Sequence, residues 1–400
     1  MPTLTRMPYW RSDHLDFREE VRGFVDLHAR LLWQETDDGS ERFPWGVRKA
    51  AAEASLAAID LPQQWGGRGL DLVSQGIAYE ESGRLDVNAR EMLGSGHARL
   101  LERFGTQQVQ QDWLPRVVQG DALVGVGVTE AAAGSDIRGI QTSATRHADG
   151  AFSLTGSKTL ISRIHEAQAF VVFGKTQHDR EQHTLSAFLV DMSSPGITRS
   201  EIGTMGMRGW SYGTISFDSV PVPAHNLLGK EGAGYPVFED HFACWRVLMA
   251  LVCLGAADQS IEETIAYANT RRVFGGMLST YSSVMSAIAE HATQVGAARL
   301  LCYQALWMGD QGARFVTESA MAKWLGTTTA FNAVNAMLQI FGARGYTHQY
   351  PLEKRLRDIR GLMIADGATD IMKLLVGREI VGNEPYNHLL GRGGTPPLAY

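Results

Sequence analysis

The hydrophobic period of the chain changes at Leu123 and changes back near Gly234, and the three stretches so defined cannot share one layer of secondary structure. Before Leu123 apolar residues recur at helical spacing, as in Val21, Phe24, Val25, Leu31 and Leu32 behind the capping-box pair Asp16 and Glu19. Helical text continues over 48–59 and, after the Gly-rich break at 65–69, up to Leu85 and over 89–104. At Leu123 the period becomes two: Val124, Val126 and Val128 alternate with Gly125 and Gly127, a strand whose bare face could take a flat ligand. Strand-like runs follow at 152–154, 169–173, 185–190 and 215–222, and Pro221 and Pro223 predict an edge strand leaving the sheet. From Gly234 the helical period persists over 237–269, 279–309, 316–341 and 369–381. The spacing predicts a mostly α protein with a central β domain. An N-terminal all-helical domain covers 1–120, a β-barrel or sheet domain 121–232, a C-terminal four-helix bundle 233–388, and an irregular tail 389–400.

Several function classes find no support. A formal charge of −6 gives no footprint for nucleic acid, and no segment approaches a membrane-spanning length. Met1 to Trp10 lacks the apolar core of a signal peptide, so a cytoplasmic protein is expected, with no membrane partner. Cys244, Cys253 and Cys302 lie in apolar helical runs without C-x-x-C spacing and read as small buried residues in a reducing compartment. His165-Glu166 lacks the second histidine of a zinc motif, and no metal is implied. Gly125-x-Gly127 has Glu130 where a dinucleotide fingerprint needs its third glycine. Gly156-Ser157-Lys158-Thr159 lacks the Gly-Lys pair of a phosphate loop and reads as a β-turn.

Two stretches point to chemistry. In Ile364-Ala365-Asp366-Gly367-Ala368-Thr369-Asp370 a carboxylate stands between small residues ahead of a helical run, and Gly367 leaves room for a ligand to approach. Taken alone, Asp366 or Thr369 equally suits a helix cap. After the Val/Gly strand, Thr129-Glu130-Ala131-Ala132-Ala133-Gly134-Ser135-Asp136 offers hydroxyls and accessible amides to the polar edge of a ligand, or is an ordinary strand-to-loop transition.

The second stretch resembles the Thr-Glu-x-x-Ala-Gly-Ser-Asp signature of the acyl-CoA dehydrogenase family, with Ala131 in place of the usual proline. Three further blocks agree in order and spacing: 156–162, 205–229, and 339–346 with Pro351, Arg357-Asp358 and 364–367. The resemblance spans about Asp16 to Gly382. It implies an FAD enzyme in which Val126, Val128, Thr129 and Leu160 lie along the flavin, Ser162 approaches its N5, and Gly134 and Ser135 meet the cofactor and the substrate's pantetheine arm. It implies that Arg271, Phe274, Gln339 and Gly342 reach the FAD of a neighbouring subunit in a homodimer or homotetramer. Arg246 would lie near the thioester carrier or, on its own pattern, end a buried helix face with a snorkelling charge. Asp366 falls at the position of the catalytic glutamate, with Ala365 and Gly367 beside the substrate, and its amide forms part of the site for the enolate oxygen.

Asp366 is one methylene shorter than glutamate, which withdraws its oxygens by about 1.5 Å. Leu160, Ala365, Ala368 and Ser282 replace a tryptophan, an aromatic residue, a threonine and a glutamine of the family pattern. Three readings follow. One is a dehydrogenase of acyl-CoA or acyl-carrier-protein thioesters, handing electrons to a flavoprotein or to oxygen. A second is oxidase or oxygenase-like tailoring of a carbon acid in natural-product biosynthesis, and a third is a flavin-binding scaffold without turnover.

Overall fold

The computed structural model describes residues 8–37, 43–179 and 182–382; the tail at 389–400 lies outside them. Five helices open the chain: α1 (Ser12–Asp37), α2 (Trp45–Glu53), α3 (Leu72–Leu85), α4 (Arg99–Phe104) and α5 (Gln107–Val118). The Asp71 carboxylate starts α3 by accepting from the Ser74 amide at 2.8 Å, and Thr106 caps α5 in the same way. The single helix expected over 89–104 is instead two 3-10 turns, Val87–Glu91 and Gly96–Ala98, followed by α4, with Gly94 and Gly96 at positive φ breaking the run.

The middle of the chain is one mixed sheet of β1 (Val124–Gly127), β2 (Ser143–Arg146), β3 (Phe152–Ser162), β4 (Ala169–Asp179), β5 (Gln182–Asp191), β6 (Ile197–Glu201), β7 (Tyr212–Val222) and β8 (Leu227–Leu228). The order is β6-β7-β3-β2-β4-β5-β8, with β1 parallel to β4. Three expectations are corrected. Residues 156–159 form no turn: they continue β3, and Lys158 is buried there against Glu130 at 2.7 Å. β7 is no edge strand, since β6 and β3 flank it; Pro221 is tolerated because pairing with β6 stops at Phe217. The glycine face of β1 admits no ligand either. A Cβ on Gly125 would lie 2.3 Å from the Phe170 ring, and one on Gly127 would lie 3.2 Å from the Lys158 side chain.

The C-terminal part holds α6 (Gly234–Thr270), α7 (Ser282–Asp310), α8 (Val316–Phe341) and α10 (Thr369–Val381), the four expected helices, and α9 (Leu352–Leu362) in addition. α9 escapes an apolar pattern because Lys354, Arg355 and Asp358 are buried with Leu352, Ile359 and Leu362. The Arg355 guanidinium donates to Glu263 at 2.7 and 2.9 Å, and Lys354 to Asp86 and Asp358. The helical parts are joined by close backbone contact. A Cβ on Gly83 of α3 would stand 2.0 Å from the Val252 carbonyl, and one on Gly255 of α6 would stand 2.0 Å from that of Glu80. The three cysteines are buried and unbonded. Among the described residues no helix is long and apolar enough to cross a membrane.

Candidate functional site

A cleft of about 1970 Å3 opens where sheet, N-terminal helices and C-terminal bundle meet. Its sheet wall is made by Val126, Val128, Thr129, Gly134, Ser135, Leu160 and Ser162. The valine side of β1 thus faces the cleft, while its glycine side packs inward. Glu130 anchors the loop after β1 from beneath, accepting from Lys158 Nζ at 2.7 Å and from the amides of Gln141 and Thr142 at 2.6 and 3.0 Å. Burial alone would raise this carboxyl, but the ammonium and amides outweigh it and hold it below the usual range. Leu160 stands at φ +57° inside the register shift between Lys158 and Ile161 of β3, so its half-exposed side chain is lifted off the strand into the cleft.

Opposite lies the loop between α9 and α10. Asp366 is half-buried at φ +59°, next to Gly367 at +114°. No side chain caps α10; the Asp366 carboxylate instead accepts from Trp245 Nε1 at 3.1 Å. The buried Lys323 donates to the carbonyls of Leu362, Ala365 and Gly367 at 2.6, 2.8 and 3.4 Å. Arg246 Nε donates to the Asp366 carbonyl at 3.1 Å, so this arginine does not snorkel to the surface. A left-handed backbone held by two cations is strain the surroundings impose, and it leaves the Asp366 amide without a hydrogen-bond acceptor among the described residues. Among the described residues, the arrangement provides a positioned carboxylate, an unspent amide donor beside it, and an apolar wall across the cleft edged by the Thr129, Ser135 and Ser162 hydroxyls.

The inner end of the cleft was not foreseen. Arg90 and Arg163, 5% and 3% exposed, reach it from the 3-10 turn and from the end of β3, with their guanidiniums 5.4 and 4.8 Å from the Trp210 ring centroid. Arg163 pairs with Glu91 and contacts His97 Nε2 at 3.2 Å. An arginine can only donate, so His97 Nε2 accepts and its Nδ1–H donates to His241 Nε2 at 2.8 Å. Burial pushes the His97 imidazole down to about 4 and His241 well below its ordinary value, so both are neutral.

The structure brings Asp366, Ala365, Gly367 and Arg246 together with the seven predicted sheet residues. It does not bring Arg271, Phe274, Gln339 or Gly342 to this chain's own cleft. All four are surface residues, and the Phe274 ring is fully exposed at φ +45°.

Two all-helical domains around a mixed sheet, with one large ligand cleft walled by all three, define the class of protein. Residues 11–121, 125–220 and 232–381 match, respectively, the N-terminal, middle and C-terminal domains of acyl-CoA dehydrogenase. The chain is 31% identical over 379 residues to an acyl-CoA dehydrogenase of Bacillus subtilis (strain 168), covering 93% of this chain and 98% of that protein. It superposes on butyryl-CoA dehydrogenase from Megasphaera elsdenii with a TM-score of 0.87 at 27% identity, covering 93% and 99% of the two chains. It also superposes on the FAD complex of PigA with a TM-score of 0.87 at 25% identity, covering 93% and 98%. The chain belongs to the acyl-CoA dehydrogenase family.

Proposed function

We propose that this protein is an FAD-dependent dehydrogenase of acyl thioesters, carried on coenzyme A or on an acyl carrier protein, in which Asp366 removes the α-proton. One observation carries the reading: the Asp366 carboxylate, held by Trp245 Nε1, and the unspent Asp366 amide face a wall of valines and hydroxyls across one large cleft. That wall fits a flavin. It is apolar along Val126, Val128 and Leu160, it carries hydroxyls at Thr129, Ser135 and Ser162, and a Cβ on Gly134 would meet nothing within 4 Å. FAD bound there supplies the electron sink for the β-hydride, which no side chain can provide.

The remaining chemistry belongs to the protein. Lys323 and Arg246 pin the backbone on both sides of Asp366, so the carboxylate does not have to be ordered when substrate arrives. The amide of Asp366 donates to the thioester oxygen as enolate charge develops, which makes the α-hydrogen acidic enough for a carboxylate to take. Trp245 keeps one carboxylate oxygen occupied and leaves the other for the proton. Arg271, Phe274, Gln339 and Gly342 serve the cofactor site of a second copy in a homodimer or homotetramer; a fully exposed aromatic ring on a left-handed backbone supports such a contact. In this reading the division is 1–120, 121–232 and 233–388, the location cytoplasmic, and the electron acceptor another flavoprotein or oxygen.

The test is anaerobic flavin bleaching by acyl thioesters. Asp366→Asn, with FAD content confirmed by absorbance, should slow bleaching by about 10²- to 10⁴-fold. Bleaching at the parent rate would remove Asp366 from the reaction. Rapid peroxide release in air would move the protein to the oxidase reading.

A further inference from the structure

We infer that Arg90 and Arg163 form a subsite for a carboxylate on the acyl chain, and that the substrate is the thioester of a dicarboxylic acid. The inference rests on the dehydrogenase reading and names its substrate class. Two guanidiniums lie at the inner end of the cleft, and Glu91 is the only carboxylate within ion-pair distance of either among the described residues. It is engaged by Arg163 and stands 3.6 Å from Arg90 Nε. The other partners of Arg163 are neutral: the Ser162 hydroxyl at 3.1 Å and His97. Arg90 donates to no oxygen among the described residues, its one hydrogen-bond contact being Met207 Sδ at 3.9 Å. A cation that is nineteen-twentieths buried and lacks an oxygen acceptor is costly unless a ligand completes it.

The Asp366 charge favours the ionised form of both guanidiniums, but only at a distance. Its carboxylate makes no ion pair with either guanidinium and accepts instead from the Trp245 indole. The oxygen acceptor that Arg90 lacks is left for the substrate to bring. Planar guanidinium donors stacked on the Trp210 ring suit the two oxygens of a carboxylate better than a single-atom acceptor. The acyl end, not the carrier, brings it. Arg138 and Arg314 in the cleft lining are exposed, as phosphate-bearing carriers require, whereas Arg90 and Arg163 are buried and Asp366 only partly so. The carboxylate is a handle and takes no part in bond making.

The test uses FAD-loaded protein, with glutaryl and pentanoyl thioesters offered on coenzyme A and on an acyl carrier protein, and follows anaerobic bleaching for Kd and rate. The parent should prefer glutaryl by about 10²-fold in rate over Kd. Arg90→Met should cut that ratio by about the same factor through Kd, Arg163→Met should cut it too, and Arg90→Lys should restore part of it. Equal use of both thioesters by the parent overturns the inference and leaves the dehydrogenase reading standing. So does an equal loss of rate on both in Arg90→Met, which would make the arginine a support for Asp366. Bleaching by neither thioester, with FAD bound, overturns the inference and the dehydrogenase reading together.

Discussion

Two charge clusters are buried where the three domains meet, and they are built in opposite ways. In the first, Lys354 of α9 donates to Asp86 at 2.8 and 2.9 Å and to Asp358 at 2.8 Å, Asp86 also accepts from Asn88, and Asp358 accepts from Asn88 and the Met207 amide. Two carboxylates surround one ammonium and every donor is met, with Asn88 Oδ1 the one buried side-chain atom of the cluster left unbonded among the described residues. In the second, Arg90 and Arg163 share one carboxylate, Arg90 donates to no oxygen among the described residues, and Arg163 Nε is left unbonded. Both clusters tie the N-terminal helices to another domain, but only the second opens on the cleft. Saturation marks a structural joint, and an unmet cation marks a place kept for a ligand.

The sharpest way to break that contrast is stability. Lys354→Met leaves Asp86 and Asp358, 2% and 1% exposed, without their cation, and should lower unfolding free energy by about 3–5 kcal/mol. Arg90→Met removes no hydrogen bond to oxygen and should change it by less than about 1 kcal/mol. Urea unfolding of the two variants checks both. Equal losses would mean that the second cluster is a joint like the first.

The imidazoles sharpen the same contrast through pH. His97 is held at about 4 in the fold against about 6.5 in an unfolded chain. Between those values the unfolded state binds the extra proton, so the contribution is complete above 6.5, is lost progressively as pH falls toward 4, and is flat below. At pH 5 the loss from His97 is about 2 kcal/mol. His97→Gln keeps an acceptor for Arg163 and should remove that part of the slope in unfolding midpoints between pH 7 and 4.5. A slope that begins only in the carboxylate range would show that the imidazoles do not set the charge of the cluster.

Much of this was legible in the sequence, for physical reasons that differ between regions. The change of period at Leu123 and its return at Gly234 reflect side chains facing a core, and packing left most elements where the pattern put them, the broken run over 89–104 excepted. Period could not reveal α9, since Lys354, Arg355 and Asp358 are buried by pairing with distant residues and not by being apolar. The residues of the sheet wall and Asp366 were reached through the family resemblance of short contiguous motifs, which taken alone suit a loop or a helix cap as well. Arg90, His97, Arg163 and Trp210 come from separate stretches that become neighbours only on folding. The one local signal was a charge next to Ser162, a residue already placed in the site. The bare face of β1 was misread because an unbranched backbone admits a neighbouring side chain as readily as a ligand, and Phe170 takes that space.

The smallest expected effect concerns what the open side of the molecule gives up. Leu160 is 53% exposed at φ +57°, so it buries little and holds a backbone that a Cβ disfavours by about 1–2 kcal/mol. Leu160→Gly relieves that strain but adds chain entropy to the unfolded state, about 0.5–1 kcal/mol. The variant should therefore be more stable than the parent by about 0.5 kcal/mol in urea unfolding, while its bleaching by a thioester slows as the wall loses a side chain that faces the cleft. A variant that is both less stable and equally active would show that Leu160 belongs with the saturated, structural side of the contrast. A gain in stability with a loss of rate places it with Arg90, among the residues whose local cost is sustained for the ligand.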